Sequence, residues 1–305
     1  MQPVIVIVGP TASGKSKLAV DVALALVSRG TLAEVVNADS MLVYRGMDIG
    51  TAKPTQAERR GVVHHLIDFM EVTESASVAE FQRLARAAIA DVRARNGVPI
   101  VVGGSALYTR AIVDEFEFPG SDAEVRARWE AELQRIGVEA LHERLRETAP
   151  ESAARIEPGN ARRIVRALEV AELTGSHSAS LPEWTYAIEN VHQFGLTMER
   201  AVLDQRITDR VSAMWAEGLV AEVSALLGRG LRAGRTASRA IGYRQVIDYL
   251  DGRISEDESR DAVARATKRF FRKQLGWYRR DPRIIWLQAD AKDNVETILA
   301  ALDFA

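Results

Sequence analysis

The sequence predicts an α/β fold, in which a parallel sheet carries helices on both faces and a mostly helical insertion interrupts the chain. Short β-branched runs alternate with segments of helical spacing, which is the pattern of strand–helix–strand units. The first run, at residues 4–8, leads directly into a glycine-bounded octet and then into a helical segment. After about residue 113 the strands give way to charged helical segments, which indicate the insertion.

The elements are expected in the following order along the 305 residues. Strands are predicted at residues 4–8, 34–39, 61–69, 99–104, 191–198 and 284–287. Helices are predicted at residues 18–28, 77–95, 123–136, 138–148, 161–173, 203–227, 242–250 and 255–280. A loop rich in glycine and serine, residues 175–182, closes the insertion. We therefore expect a catalytic core over residues 1–114 and 191–305 and an insertion domain over residues 115–190.

Composition narrows the classes of protein that the chain can represent. Cysteine is absent, which excludes disulfides and thiolate metal sites and fits a reducing cytoplasm. No apolar stretch approaches the roughly 20 residues of a membrane span, so no membrane partner is expected. The net charge of −2 argues against a generic polyanion binder and leaves room only for local basic surfaces.

The octet from Gly9 to Ser16 fits the phosphate-binding pattern G-x-x-x-x-G-K-[ST]. Its glycines allow backbone N–H groups to converge on an anion, and the following helix adds its positive dipole end. Lys15 supplies a charge for the outer phosphates, and the Ser16 hydroxyl can reach a magnesium ion. The candidate phosphate-binding residues are Gly9, Thr11, Ala12, Ser13, Gly14, Lys15 and Ser16. The loop predicts a P-loop NTPase-like core, but it does not say whose phosphates are bound.

Polar residues follow the ends of three predicted strands, at Ser16, Asp39 and Ser105. In a parallel sheet these ends share one edge, where ligands bind, so the three should converge. Asp39 suits a base that orients a nucleophile, although it could instead cap a turn. The strand before Ser105 ends in Gly103-Gly104, without the acid of a Walker-B site, which argues against ATP hydrolysis.

Basic residues form three clusters. The first contains Arg162, Arg163 and Arg166, the second Arg206 and Arg210, and the third Lys268, Arg269, Arg272, Lys273, Arg279 and Arg280. Aromatic residues are interleaved in the third cluster, and arginine with aromatic side chains suits a phosphate backbone with stacked bases. A solvated helix face is the alternative for each cluster, but three clusters in an acidic chain weaken it.

Several runs, taken in order, resemble the bacterial tRNA dimethylallyltransferases, also called tRNA isopentenyltransferases. The matching runs are residues 9–16, 37–40, 47–54, 102–105 with 107–108, 163–164 with 166–170, 218–220 with 222–223, and 240–245. They span about residues 4 to 280, and the runs at 48–54 and 242–245 are far more specific than the phosphate loop alone.

The resemblance implies transfer of a dimethylallyl group from dimethylallyl diphosphate to N6 of adenosine 37 in tRNA. The phosphate loop would then hold a diphosphate leaving group, with Mg²⁺ near Ser16, and the enzyme would act as a monomer. Asp39 would accept the N6 proton, and Arg210 would neutralise charge on the departing diphosphate. Ser105 stands where the family usually has threonine, and only its hydroxyl would matter.

The same resemblance assigns tRNA contacts to both parts of the chain. The expected tRNA-binding residues are Asp39, Ser40, Met41, Leu42, Ser105, Arg126, Arg162, Arg163, Arg166, Arg239, Tyr243, Arg244, Arg272 and Lys273. The helical insertion would clamp the anticodon stem-loop. Arg162 stands where many members have glutamine, which leaves base-specific hydrogen bonding there open.

Two other functions remain open from the residues alone. An ATP-dependent small-molecule kinase would use Asp39 as a base toward a hydroxyl group, but it would leave the insertion and the basic clusters without a role. An RNA-binding module that only senses a nucleotide would use the clusters but not Asp39. Turnover with labelled dimethylallyl diphosphate and tRNA separates the three.

Overall fold

The computed structural model describes residues 1–175 and 183–303, and it divides the chain into two compact units. The first unit joins Met1–Asp114 to Tyr186–Ala305, and the second is Glu115–Thr185. Of the predicted closing loop, Gly175 caps a helix with φ 62°, and residues 176–182 lie outside the described part of the chain.

A six-stranded sheet forms the centre of the first unit, as predicted. Its strands are β1 (Val4–Val8), β2 (Ala33–Asn37), β3 (His64–His65), β4 (Val98–Gly103), β5 (Val191–Thr197) and β6 (Ile284–Gln288). Their order is β3-β2-β4-β1-β5-β6, and every neighbouring pair is parallel. Strand β3 is far shorter than the predicted 61–69, because Leu66 and Asp68 have φ of 61° and 57°, which no strand residue can adopt.

The helices are numbered in chain order. They are α1 (Lys15–Ser28), α2 (Gln56–Arg59), α3 (Val78–Ala94), α4 (Ala106–Val113), α5 (Ala123–Thr148), α6 (Pro150–Arg155), α7 (Ala161–Thr174), α8 (Arg200–Ala216), α9 (Leu219–Gly228), α10 (Tyr243–Leu250), α11 (Glu256–Tyr278) and α12 (Asn294–Asp303). The single helix predicted at 203–227 is wrong: Gly218, with φ 100°, separates α8 from α9.

Successive residues of β1 bury against opposite faces of the sheet. Ile5 and Ile7 belong to a core with residues of α1 and α12, such as Ala19 and Ile298. Val4, Val6 and Val8 belong to another core, which includes residues of α3, α9, α10 and α11. The alternation of side chains along a strand therefore places helices on both faces of the sheet.

The second unit consists of α5, α6 and α7 around its own apolar core. Leu141, Leu145, Ile164 and Leu168 are almost fully buried there. Helix α5 is broken at Gly137, with φ 82°, which is the boundary predicted between two helices.

Within residues 1–175 and 183–303, no single helix has the length and hydropathy of a membrane span. Helices α8 and α9 meet those criteria only when they are joined across their 60° bend. In the first unit these two helices bury Leu203, Ile207, Trp215 and Leu219 against the rest of the protein.

Candidate active site

The phosphate loop connects β1 to the first residue of α1. Gly14 precedes the helix with φ 86°, and Ala12 also has a positive φ of 65°, which is strained for a residue with a side chain. The hydroxyl oxygen of Ser13 is buried and finds no hydrogen-bond partner among residues 1–175 and 183–303. A strained loop before a helix N-terminus, with an unsatisfied hydroxyl, is an arrangement that an anion would complete.

Three charged residues interact electrostatically at the carboxyl edge of the sheet. Burial lowers the pKa of Lys15 to about 8, while Asp39 raises it and Arg210 lowers it. Burial also lowers the pKa of Arg210, against the raising effect of Asp39. The Nε of Arg210 is buried and has no hydrogen-bond partner in the described part of the chain. Lys15 and Arg210 thus form a pair of partly desolvated cations that would gain from a bound polyanion.

Asp39 is fixed by a tight turn after β2. Its Oδ1 accepts the backbone N–H of Met41 at 2.9 Å, and its own N–H donates to Oδ1 of Asn37 at 2.7 Å. Asp39 therefore does cap a turn, as one interpretation of the sequence predicted, but the turn uses only its Oδ1. Among the described residues, no group donates to Oδ2. Ser40, Met41 and Leu42 follow and are half-buried.

The exit of β4 is built from glycines because the neighbouring chain lies very close. A Cβ at Gly103 would lie 2.4 Å from the carbonyl oxygen of Ala38, which follows β2. Ser105 precedes α4, and within the described residues its hydroxyl makes no capping hydrogen bond to that helix. The exit therefore offers a half-buried hydroxyl, and no acid stands where a Walker-B aspartate would.

Two buried polar residues on α11, Gln274 and Tyr278, contact this exit; the sequence pattern did not point to Gln274, and it placed Tyr278 only among the aromatic residues of the third basic cluster, as a candidate for stacking on bases. Gln274 donates from Nε2 to the carbonyl of Gly104 at 2.7 Å and accepts the backbone N–H of Thr11 at Oε1, at 3.2 Å. The hydroxyl of Tyr278 donates to the carbonyl of Gly103 at 3.4 Å. Gln274 shares a helix face with the buried residues Phe271 and Tyr278. A single amide side chain on an otherwise apolar helix face was therefore the one feature of the sequence that could have pointed to it.

The loop at residues 44–54 is held by internal contacts that the sequence did not reveal. Buried Lys53 donates to the carbonyl of Tyr44 at 2.8 Å and pairs with Asp48 at 2.7 Å and with Asp68. Glu222 of α9 accepts three backbone N–H groups, from residues 48, 49 and 50.

Tyr243 requires a correction, because it was expected to contact tRNA. Its side chain is fully buried, and its hydroxyl donates to Glu222 at 2.5 Å. A Cβ at Gly50 would lie 2.5 Å from the ring. Tyr243 therefore supports the loop at residues 44–54 from within and presents no surface to RNA.

The expected tRNA-binding arginines and lysine of the first unit are exposed. Arg239 and Arg244 line a cavity of about 540 Å³ with Arg232 and Arg253. Arg272 and Lys273 are exposed on α11. Arg206, the neighbour of Arg210 in the second basic cluster, is committed to Asp290 at 2.6 Å.

In the second unit, the expected tRNA-binding arginines divide into two pairs. Arg126 and Arg166 bind Glu169, which is fully buried, at 2.7 and 2.9 Å. Burial raises the pKa of Glu169, but these two arginines and Ser121 outweigh it and hold the pKa below its usual value. Arg162 and Arg163 are exposed on α7. Arg126 and Arg166 therefore stabilise the second unit through Glu169. Arg162 and Arg163 are exposed and can contact a ligand.

Across the described residues, no group of three or more histidine, aspartate or glutamate side chains could hold a metal ion by itself. A Mg²⁺ ion commonly keeps several waters and takes only one or two protein ligands beside substrate phosphates. The half-buried hydroxyl of Ser16 fits that limited donor set.

Comparison with known proteins decides the family. The family model described as IPP transferase matches residues 42–281. The chain belongs to the IPP transferase family. The resemblance read from the sequence is thereby confirmed.

Relatives of this IPP transferase cover nearly its whole length. A protein of Kineococcus radiotolerans named tRNA dimethylallyltransferase is 59% identical over 304 residues, covering 99% of this chain and 96% of the relative. A solved tRNA isopentenylpyrophosphate transferase of Bacillus halodurans is 40% identical, with a TM-score of 0.71 and coverage of 100% and 95%. The corresponding structure from Staphylococcus epidermidis is 32% identical, with a TM-score of 0.73 and full coverage of both chains.

Proposed function

We propose that this chain transfers a dimethylallyl group from dimethylallyl diphosphate to N6 of adenosine 37 in tRNA, releasing diphosphate. The observation that carries the proposal is the convergence of Lys15, Arg210 and Asp39 at one edge of the sheet. Two cations suit a leaving diphosphate, and one carboxylate suits the amine that replaces it. The relatives named tRNA dimethylallyltransferase support the same reaction.

The phosphate loop would hold the diphosphate as a leaving group. Backbone N–H groups of the loop and the N-terminus of α1 would bind its oxygens, with Lys15 and the unsatisfied Nε of Arg210 neutralising the charge that develops. As the carbon–oxygen bond of the substrate breaks, its electron pair leaves with the diphosphate. Mg²⁺, held by Ser16 and the phosphates, would supply further charge neutralisation.

Asp39 would act on the nucleophile. Its Oδ1 is engaged by Met41, which fixes the carboxylate, and Oδ2 is available for a hydrogen bond from the N6 amino group. Adenine N6 is a weak nucleophile, so orientation contributes much of the rate. As the N6–carbon bond forms, Asp39 accepts the proton that N6 loses. The half-buried hydroxyl of Ser105 lies at the next strand exit, where it would orient the base.

The tRNA would be bound by exposed arginines and lysines rather than by the whole surface. Arg239, Arg244, Arg272 and Lys273 are exposed in the first unit. In the second unit, Arg162 and Arg163 are exposed and would contact the anticodon stem-loop. The adenine must leave its stack to reach Asp39, at a cost of a few kcal/mol. We propose a monomer acting in the cytoplasm, where tRNA is modified.

One turnover assay tests the proposal. The protein is incubated with radiolabelled dimethylallyl diphosphate, Mg²⁺ and unmodified tRNA that carries adenosines at positions 36, 37 and 38. Label should appear on adenosine 37, with diphosphate released in equal amount. Consumption of ATP with a small hydroxyl substrate, and no label on RNA, would instead indicate the kinase.

A further inference from the structure

Gln274 joins helix α11 to the phosphate loop. Its side chain is only 4% exposed, and both ends of its amide are used. Oε1 accepts the backbone N–H of Thr11 at 3.2 Å, and Nε2 donates to the carbonyl of Gly104 at 2.7 Å. A carboxamide offers an acceptor and two N–H donors on one planar group, and this bridge uses the acceptor and a donor.

The hydrogen bonds of Gln274 require a glycine directly after β4. A Cβ at Gly104 would lie 2.4 Å from Nε2 of Gln274 and 3.5 Å from the carbonyl oxygen of Gly9. A side chain at position 104 would therefore push Gln274 away from the loop. The bridge therefore requires glycine at position 104.

The bridge also determines what Thr11 can offer to a ligand. Its backbone N–H is directed to Gln274, so it is not free to bind phosphate. The Thr11 hydroxyl makes no hydrogen bond within the part of the chain that the structure describes. The first half of the loop is thus tied to β4, while the second half leads into α1 with Lys15 and Ser16.

We propose that Gln274 is a positioning residue for the diphosphate: by holding Thr11 against the exit of β4, it presets the loop around the leaving group. This inference rests on the proposed function and specifies how the phosphate loop is shaped for it. Gln274 itself does not touch the diphosphate. The backbone N–H of Thr11 is then not among the groups that bind the diphosphate.

The substitution Gln274→Met tests this role, because methionine has a similar length but neither a donor nor a carboxamide oxygen. Affinity for inorganic diphosphate with Mg²⁺ is measured by calorimetry, without tRNA. We expect about tenfold weaker binding, the effect of one lost hydrogen bond that shapes the loop. In steady-state assays the KM for dimethylallyl diphosphate should rise about tenfold, with the KM for tRNA within about twofold of wild type.

Tyr278→Phe is the matched control. Tyr278 lies one turn further along α11, is equally buried and donates to the carbonyl of Gly103, but among the described residues it makes no hydrogen bond to the phosphate loop. This variant should keep diphosphate affinity within about twofold of wild type. Gln274→Asn, which is one methylene too short to span Thr11 and Gly104, should behave like Gln274→Met and serves if the methionine variant does not fold.

The outcomes separate the inference from the proposed function. Unchanged diphosphate affinity in the folded Gln274 variants would overturn the inference. Tighter binding would also overturn it, because Gln274 would then be competing with the ligand for the N–H of Thr11. If wild type binds diphosphate but does not label tRNA, the proposed function fails, while the calorimetric comparison still decides the role of Gln274.

Discussion

At the scale of single residues, Asp39 shows how a turn residue can also be a reactive one. Its Oδ1 closes the turn with Met41, and the neighbouring Asn37 fixes the backbone on both sides by bonding to Asp39 and Leu66. The carboxylate is therefore oriented by bonds that do not involve its second oxygen. A base that is held in this way needs little reorganisation when the adenine arrives.

Asp39→Ala should lose most turnover while tRNA affinity changes little, because contacts with phosphates dominate that affinity. We expect a fall in kcat of about 10²–10⁴-fold, the usual contribution of a positioned base. Single-turnover kinetics and a filter-binding assay measure the two quantities separately. Asp39→Asn keeps the turn acceptor and controls for the structural role; activity near that of wild type in Asp39→Asn would contradict the role as base.

Lys15 makes the reaction dependent on pH. Its pKa is about 8 in the free protein, so its charge is present below pH 8 and is lost as the pH rises further. The kcat/KM for dimethylallyl diphosphate, which reports groups of the free enzyme, should therefore decline above about pH 8. In Lys15→Arg the cation does not titrate, so the decline should be absent. An identical decline in both proteins would assign it to another group.

The lowered pKa of Lys15 also affects stability, and here the effect of pH is opposite: activity should fall with rising pH, whereas stability should rise. Between pH 8 and 10.5, the usual pKa of a lysine side chain, the unfolded chain binds more protons at Lys15 than the folded chain does. The free energy of unfolding should therefore rise with pH across this window, relative to a Lys15→Met variant. Urea unfolding of both proteins at pH 7.5 and 9.5 measures the difference.

Site residues that follow a local sequence pattern could be predicted, whereas residues defined by contacts between distant parts of the chain could not. The phosphate loop could be predicted because its spacing is a local pattern, and Asp39 because it follows a strand. Gln274 could not, because its two partners are 263 and 170 positions away along the chain. The prediction for Tyr243 is wrong for the same reason: its hydrogen bond to Glu222 depends on how α9 packs against α10.

At the scale of elements, Glu222 links α9 to the loop at residues 44–54. It accepts three successive backbone N–H groups as well as the Tyr243 hydroxyl. Glu222→Ala leaves all of these donors without an acceptor. We expect the free energy of unfolding to fall by about 3 kcal/mol. Glu222→Gln retains one acceptor oxygen and should lose less; equal losses in a urea titration would show that the acceptors do not matter.

Helix α11 combines a buried face that meets the site with an exposed basic face. Arg272→Ala with Lys273→Ala should weaken tRNA binding and reduce the slope of log affinity against log salt by up to about 2, if each side chain contacts one phosphate. Arg83→Ala with Lys292→Ala removes the same charge from residues outside the expected tRNA-binding set. The affinity for tRNA is measured at several salt concentrations between about 50 and 200 mM. Equal slopes of log affinity against log salt in the two double variants would exclude α11 from the RNA contact.

Most helices and strands could be predicted from periodicity, and two of the exceptions have backbone causes. Strand β3 ends after two residues because Leu66 and Asp68 adopt left-handed backbone angles. The residue types in this stretch do not predict that conformation. The break at Gly218 could have been read as a helix end, since glycine is the usual residue there. Four helices were not predicted, α2, α4, α6 and α12; they have 4, 8, 6 and 10 residues, too few for a clear helical period.

At the scale of the whole molecule, the insertion leaves and re-enters the first unit at a single place. Asp114 and Tyr186 form an antiparallel bridge, and the N–H of Ala187 donates to the carbonyl of Val113 at 2.8 Å. Replacing residues 115–185 by a two-glycine turn should therefore leave the first unit folded. Diphosphate affinity should persist, while tRNA affinity falls at least about tenfold. Loss of diphosphate binding in a folded protein would show that the core depends on the insertion.

The parallel sheet could be predicted as a whole, because each strand–helix–strand unit repeats one pattern. The strand order could not, since it depends on which hydrophobic faces meet in three dimensions. The sequence could also not show which insertion arginines are consumed internally. Arg166 looked equivalent to Arg163, but only Arg166 reaches the buried Glu169.

The lowered pKa of Lys15 has a further consequence for the covalent chemistry of the chain, which contains only six lysines. At neutral pH about a tenth of the Lys15 side chains are free amines, against less than about a thousandth for an ordinary lysine. An acylating reagent at low concentration should therefore label Lys15 ahead of the exposed lysines wherever it can enter the loop. Protection of that amine by diphosphate, read by peptide mass mapping, would turn Lys15 into a built-in reporter of ligand occupancy.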